Sequence, residues 1–241
     1  MNPELLWCIP AGIAAGFLCV PLFNRLPAAW LCDYGETPAP ELSWKRISAV
    51  PHGVVLAAVF SAVFLLFAAQ YGFSPAFFLL SAAAVPLVLA SVSDIKYRIL
   101  PDECLPAVLL PALAVYGLSL AGKAQFYGSA VSPFLGAAFG GGVWLLIGLI
   151  GRAAYHRESI GFGDVKLFAI IGFLCGFPGV VYAFLIMIVL AGLLFLALIL
   201  LHRISPEQYM PMGPYLCAGC LLELAFSRQL TALAAWYFSL F

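Results

Sequence analysis

Charged residues punctuate this chain at long intervals, and the apolar stretches between them have the length that crosses a bilayer. A spanning helix needs about 20 largely apolar residues. Residues 5–24 carry no charge between Glu4 and Arg25 and predict a first span. No Asp, Glu, Lys or Arg occurs between Arg46 and Asp94, a run long enough for two helices, and "YGFSP" at 71–75 supplies the turn between them. A fourth span fits 104–122 and a fifth fits 129–151. The stretch 165–202 divides at "GFPG", residues 176–179, into a shorter and a longer helix. The remainder, 211–241, is apolar but broken by Glu223 and Arg228, which leaves one long segment or two short ones. The pattern predicts an all-α polytopic integral membrane protein of about eight transmembrane helices, with six or seven as alternatives.

Lys and Arg orient these spans, because they concentrate in cytoplasmic loops. Arg25, Lys45 and Arg46 follow span one, and Lys96 and Arg98 follow span three. Arg152 and Arg157 follow span five, with Lys166 just inside the next helix, and Arg203 follows span seven. The opposite loops offer Lys123, with Arg228 beyond the last span. The N-terminus is therefore expected outside, and Asp94 and Asp164 at the cytoplasmic ends of spans three and six. The start, "MNPELLWCIP", lacks the basic region of a cleavable secretion signal, so its apolar segment is expected to stay as a membrane helix. Residues 1–241 read as one membrane-embedded domain, with a short cytoplasmic loop at about 26–50 as its only sizeable polar connection.

Composition agrees. Hydrophobic residues make up 64% of the 241 and charged residues 9%, against about 25% charged in soluble domains. Zero net charge and the lack of a long basic run give no ground for nucleic-acid binding. Most of the seven cysteines sit inside apolar runs, where a thiol behaves as a small hydrophobe. Cys217 and Cys220 form a C-x-x-C, but one pair does not complete a zinc site, so helix packing is expected of them and no metal. His52, His156 and His202 are isolated, and no G-x-S-x-G elbow occurs. Gly12 and Gly16, Gly136 and Gly140, and Gly172 and Gly176 recur at the four-residue spacing that lets membrane helices approach closely. The same packing explains "FGGGVW" at 139–144 better than a phosphate loop does, since no G-K-[ST] follows.

Most of the eleven acids have ordinary places. Asp33, Glu36, Glu41, Glu158 and Glu207 are loop residues, and Glu4 lies at the outer surface. Asp102 and Glu103 follow Pro101 at the start of span four, where carboxylates cap free N–H groups. Glu223 lies in the last apolar region with no evident partner. Asp94 and Asp164 are different, because each stands where an uncharged helix ends or begins. A charge at a membrane helix centre costs about 2.5 to 3.5 kcal/mol on insertion scales, less near its end. Asp164 opens its helix, where the dipole favours an anion; Asp94 closes its own, where the dipole does not.

Two carboxylates brought close share one proton. One can then deprotonate a water while the other protonates a peptide carbonyl, which is aspartic-protease chemistry. Gly161 and Gly163, on either side of Phe162, would leave room for a peptide backbone beside Asp164. A plain break between helices accounts for those glycines equally well.

The motifs narrow this. "GFGDVKL" at 161–167 resembles the G-x-G-D-x-K-L signature of the type IV prepilin peptidases, membrane aspartyl proteases of the GxGD class. "SDIKYRILPD" at 93–102 is similar to that family's other signature, an Asp followed some residues later by L-P-D. "AGFLCVPLFNRLP" at 15–27 resembles its first helix, and "MPMGPYLCAG" at 210–219 its late P-F-G-P-x-L-x-x-G. The matches fall in the family's order and span nearly the whole chain. The resemblance implies Asp94 and Asp164 as the catalytic pair, with Gly161, Phe162, Gly163 and Lys166 binding substrate or shaping the site. It implies cleavage of basic leader peptides from prepilins or pseudopilins at the cytoplasmic face of the inner membrane, with no cofactor for proteolysis.

Many members also carry two C-x-x-C pairs in an enlarged first loop and methylate the new N-terminus with S-adenosylmethionine. Here that loop is short and holds Cys32 alone, and the family's first-helix motif is altered to "FLCVPLFN", although Asn24 and Arg25 still align with it. Cleavage is therefore expected and methyl transfer is not; S-adenosylmethionine enters only if that activity is retained. The alternatives are an ion- or proton-coupled transporter using Asp94 and Asp164, and an inactive pilus-assembly protein. Against the transporter, both acids are expected at one face, with none at mid-membrane between spans two and five.

Overall fold

The computed structural model describes residues 3–32, 46–123, 126–155, 161–204 and 210–240. The loop residues Asp33, Glu36, Glu41, Lys45, His156, Arg157, Glu158 and Glu207 lie outside them. Helices α1 (Cys8–Arg25), α2 (Val54–Tyr71), α3 (Pro75–Tyr97) and α4 (Cys104–Leu120) are followed by α5 (Ser132–Tyr155), α6 (Phe162–Cys175), α7 (Gly179–Leu200) and α8 (Gly213–Phe238). No strand occurs among the described residues. The protein is an all-α polytopic membrane protein, and its helices fall into two compact units, Met1–Phe126 and Tyr127–Phe241.

Six of these helices are long and apolar enough to cross a membrane. The other two are α4, at 17 residues, and α6, at 14. At 1.5 Å per residue α6 is about 21 Å long, short of the roughly 30 Å hydrocarbon core.

Helix ends follow local chemistry. The Ser74 hydroxyl accepts from the Phe77 N–H at 3.4 Å and Pro75 occupies the first position of α3, so the predicted turn stops one helix and starts the next. Gly176 ends α6 at φ +68°, a conformation glycine adopts freely. Ahead of α4, Glu103 makes no side-chain capping bond, contrary to expectation. The final apolar region is one helix bent at Phe226, whose φ/ψ of −123°/19° is not helical. Arg228 falls inside it, not beyond the last span.

In the N-terminal unit α1 packs against α2 through Gly12 and Gly16. A Cβ on either would strike the backbone of Ser61 or Ala57. In the C-terminal unit α5 and α6 meet in the same way at Gly136 and Gly172, and Gly140 lies against the Phe168 carbonyl. The glycine cluster 140–142 is thus the middle of α5: Gly140 and Gly141 lie on its contact with α6, as packing predicts, while Gly142 faces open space. On the other side Gly219 of α8 lies against Ala183 of α7. Membrane helices gain little from apolar burial against lipid, so such close backbone approach is what holds them together.

Candidate active site

Asp164 is 7% exposed and sits in the first turn of α6, where its N–H donates to the Gly161 carbonyl at 3.1 Å. Gly161, at φ/ψ −67°/140°, is the extended residue ahead of the helix, and the free N–H groups of the first turn favour an anion at Asp164. A Cβ on Gly161 would stand 3.5 Å from Asp164 Oδ2, an ordinary contact, so close approach to Asp164 does not require a glycine there. Gly163 is half-buried in the same turn. Phe162 is 65% exposed, and the Lys166 ammonium stands 5.0 Å from the centre of its ring. The structure thus brings Gly161, Phe162, Asp164 and Lys166 together on one turn: a buried carboxylate beside an exposed aromatic face covered by a cation.

Asp164 opens its helix, as expected, but α6 begins partway along its neighbours. Gly136 faces Gly172, and Gly140 faces Phe168, in antiparallel register. One further turn brings Asp164 level with Trp144, whose ring packs 5.5 Å from that of Phe168. From Trp144, α5 runs on to Tyr155, about eleven residues or 16 Å. On the other flank the Phe168 and Phe184 rings lie 5.8 Å apart, and α7 continues from there to Leu200. Asp164 therefore stands opposite the middles of α5 and α7, not level with their ends. The cause is the shortness of α6, which begins partway along its neighbours.

Asp94, 5% exposed, occupies the last turn of α3. Its carbonyl accepts from the N–H of Arg98, which adopts the left-handed conformation at φ 59°, ψ 31°. A non-glycine residue in that region is uncommon, and here it turns the chain sharply just beyond the carboxylate. The buried Ser93 hydroxyl donates to the Ile99 carbonyl at 2.8 Å and pins the turn. Three residues on from Asp94, Tyr97 stacks on Phe23 at the end of α1, with ring centres 6.3 Å apart.

Sequence reasoning passed over the residues that hold this end of the unit. Asn24 donates through Nδ2 to the Ile47 carbonyl, and its Oδ1 accepts from the N–H groups of Arg46 and Ile47, each at 2.9 Å. It clamps the returning loop to the end of α1. The buried Arg46 side chain donates to the Phe23 carbonyl at 3.3 Å, satisfying a helix-end acceptor. The only signal for this was the alignment of Asn24 and Arg25 with the first-helix motif.

Among the described residues no group of three or more His, Cys, Asp or Glu side chains is arranged to hold a metal ion.

Residues 81–196, which include both Asp94 and Asp164, match the family model described as the type IV leader peptidase family. Three similar curated proteins each bear the name prepilin leader peptidase/N-methyltransferase. That of Bacillus subtilis (strain 168) is 31% identical over 177 residues, 73% of this chain and 65% of that one. That of Stutzerimonas stutzeri is 25% identical over 61% of this chain and 48% of its own. The Pseudomonas aeruginosa protein is 27% identical over 60% and 48%. The chain thus spans just under two thirds of the first relative and about half of the other two. No solved structure matches.

Proposed function

We propose, from the match of residues 81–196 to the type IV leader peptidase family and the similarity to the Bacillus subtilis relative, that the chain is a membrane aspartyl endopeptidase cleaving the leader peptide of a prepilin or pseudopilin. The observation that carries this reading is a pair of buried carboxylates, one closing α3 and one opening α6, inside the family-matched segment.

On this reading Asp94 and Asp164 are the catalytic pair and act on one water. Asp164, at the favourable end of the α6 dipole, holds the charge and takes the proton of the attacking water. Asp94 presents a proton to the carbonyl oxygen of the scissile bond. The tetrahedral intermediate collapses as the amine leaves with a proton, and the pair returns to its single shared proton. No cofactor takes part. Phe162 and Lys166 line the approach: the aromatic face receives an apolar side chain of the substrate, and the ammonium orients its backbone carbonyls. The position of Asp164 opposite mid-α5 supports cleavage of a segment drawn below the membrane surface, in a space from which bulk water is partly excluded.

The partners are a prepilin-type substrate with a basic leader, and the lipid bilayer. The active site opens to the cytoplasm from the inner membrane, a reading supported by the Lys and Arg that follow α1, α3, α5 and α7. The test is incubation of the purified protein with a prepilin-like peptide, followed by mass spectrometry. Cleavage at one bond, lost in Asp94→Asn and Asp164→Asn, is the expected result. Intact peptide under all conditions, with proton flux into liposomes that depends on Asp94, would replace this reading with the transporter.

A further inference from the structure

At the end of α6 opposite Asp164, a second buried polar cluster has no part in the proposed peptidase. Cys175, the last residue of α6, places its Sγ 3.8 Å from Sγ of Cys220 on α8. Glu223, one turn beyond Cys220 on the same face of α8, shares a hydrogen bond with the Cys175 thiol. All three side chains are buried. Gly179, the first residue of α7, makes room for the carboxylate, since a Cβ there would stand 2.7 Å from Glu223 Oε1.

Packing explains two thiols in contact. It does not explain a carboxylate that binds one of them and leaves its other oxygen, Oε2, buried without a hydrogen-bond partner. An unpartnered carboxylate oxygen in such a place is costly and calls for a role beyond packing. The C-x-x-C spacing directed attention to Cys217 and Cys220, but the neighbour of Cys220 is Cys175, 45 positions away.

We infer that Cys175 and Cys220 form a dithiol that closes to a disulfide between α6 and α8, with Glu223 receiving the first thiol proton. The Cys175 proton passes to the Glu223 carboxylate, and the thiolate adds to a small apolar two-electron oxidant of the quinone class. The Cys220 sulfur then attacks the Cys175 sulfur. The S–S bond forms, the bond to the oxidant breaks, and the oxidant leaves as a hydroquinone carrying two electrons and both thiol protons. Closure needs the sulfurs to move from contact to a bond of about 2.0 Å, within the reach of side-chain rotation when helices are already this close. The product ties the helix that carries Asp164 to α8 at its far end. By the orientation read from Lys and Arg, that end faces outwards, towards the more oxidising side of a cytoplasmic membrane.

The test uses the full-length protein in membranes, with diamide as the probe, whose N=N bond takes up the same two electrons and two protons. Remaining thiols are alkylated, the protein is digested, and the peptides are mapped by mass spectrometry with and without dithiothreitol. The expected result is a reducible Cys175–Cys220 cross-link, absent from Cys175→Ser and Cys220→Ser, retained in Cys217→Ser, and formed several-fold more slowly in Glu223→Gln. Complete alkylation of Cys175 and Cys220 after diamide, or a cross-link that joins Cys217 instead, would overturn the inference. An unchanged rate in Glu223→Gln would remove the proton transfer. None of these outcomes depends on whether the protein cleaves a peptide, so failure here and failure of the peptidase reading are distinguishable.

Discussion

Gly136 of α5 and Gly172 of α6 meet backbone against backbone, and a Cβ on either would run into the other's carbonyl. This contact sets the register of the two helices. Because α6 is short, the same register leaves Asp164 opposite the middle of α5 and not at its end. The position of the carboxylate is thus decided by two hydrogen atoms that stand where side chains would be.

Substituting Gly172→Val should therefore act on both stability and activity. Overpacking of this kind costs about 1–3 kcal/mol, and here the obstacle is backbone that has no rotamer to yield. The expected result is a lower Tm in detergent together with loss of peptide cleavage. Gly142, on the same helix, faces open space, and Gly142→Ala should leave both unchanged. Equal behaviour of the two variants would mean that the glycine contact does not set the register.

Asp94→Asn and Asp164→Asn should each lower leader cleavage by about 10²- to 10⁴-fold, the usual range for removing a positioned acid or base. Membrane fractionation should show both variants inserted as the parent is, since an amide is cheaper to bury than a carboxylate. Asp102→Asn should keep most of the activity, because it follows the turn and stands ahead of α4. Abolished cleavage in Asp102→Asn alone would mean that a different carboxylate of the 93–102 segment is the catalytic one.

Much of the architecture was legible from the spacing of charge. The uncharged run between Arg46 and Asp94 contains α2 and all but the last turn of α3, and Cys104 starts α4 where the apolar stretch begins after the Pro101 turn. The family motifs pointed to Asp94 and Asp164 and lie within the matched segment. Depth was not legible. The stretch 165–202 read as a shorter and a longer helix divided at 176–179, which are α6 and α7, but only the Gly136–Gly172 contact reveals that α6 starts halfway along its neighbours. The Asn24 clamp and the Cys175–Cys220 contact each join positions more than twenty residues apart, and no periodicity within a helix reports such pairs. The bend at Phe226 has no Pro or Gly to announce it.

Asn24→Ala should loosen the N-terminal unit. It removes three hydrogen bonds and leaves the Arg46 and Ile47 N–H groups short of an acceptor, at a cost of about 1–3 kcal/mol for each group that stays buried and unsatisfied. Asn24→Asp keeps the acceptor and loses the donor, so its Tm should fall between the other two. If Asn24→Ala melts with the parent, the clamp contributes nothing beyond what water replaces.

Phe162→Ala and Lys166→Met separate substrate binding from chemistry. The ammonium over the exposed ring is worth about 0.5–1 kcal/mol within the protein, and loss of a substrate contact of the same size would weaken binding roughly two- to fivefold. Steady-state kinetics on a prepilin-like peptide should show KM raised by that order, with kcat held within about twofold. A collapse of kcat at unchanged KM would move Lys166 from the approach to the reacting centre.

The relatives' shared name includes a methyltransferase, and the fate of that activity can be argued from the first loop. Residues 26–50 contain Cys32 and no other cysteine, so the paired cysteines that accompany methyl transfer in many family members have no counterpart there. The Cys32 thiol is taken up locally, donating to the Ala29 carbonyl at 3.4 Å. Two C-x-x-C pairs would supply the four ligands of a tetrahedral zinc site, and one thiol cannot order a loop in that way. Cleavage in the presence of S-adenosylmethionine should therefore release a product with an unmodified N-terminal amine. Mass spectrometry of the mature fragment reads this directly, and a product heavier by one methyl group would show that methyl transfer in this family does not need the cysteine pairs.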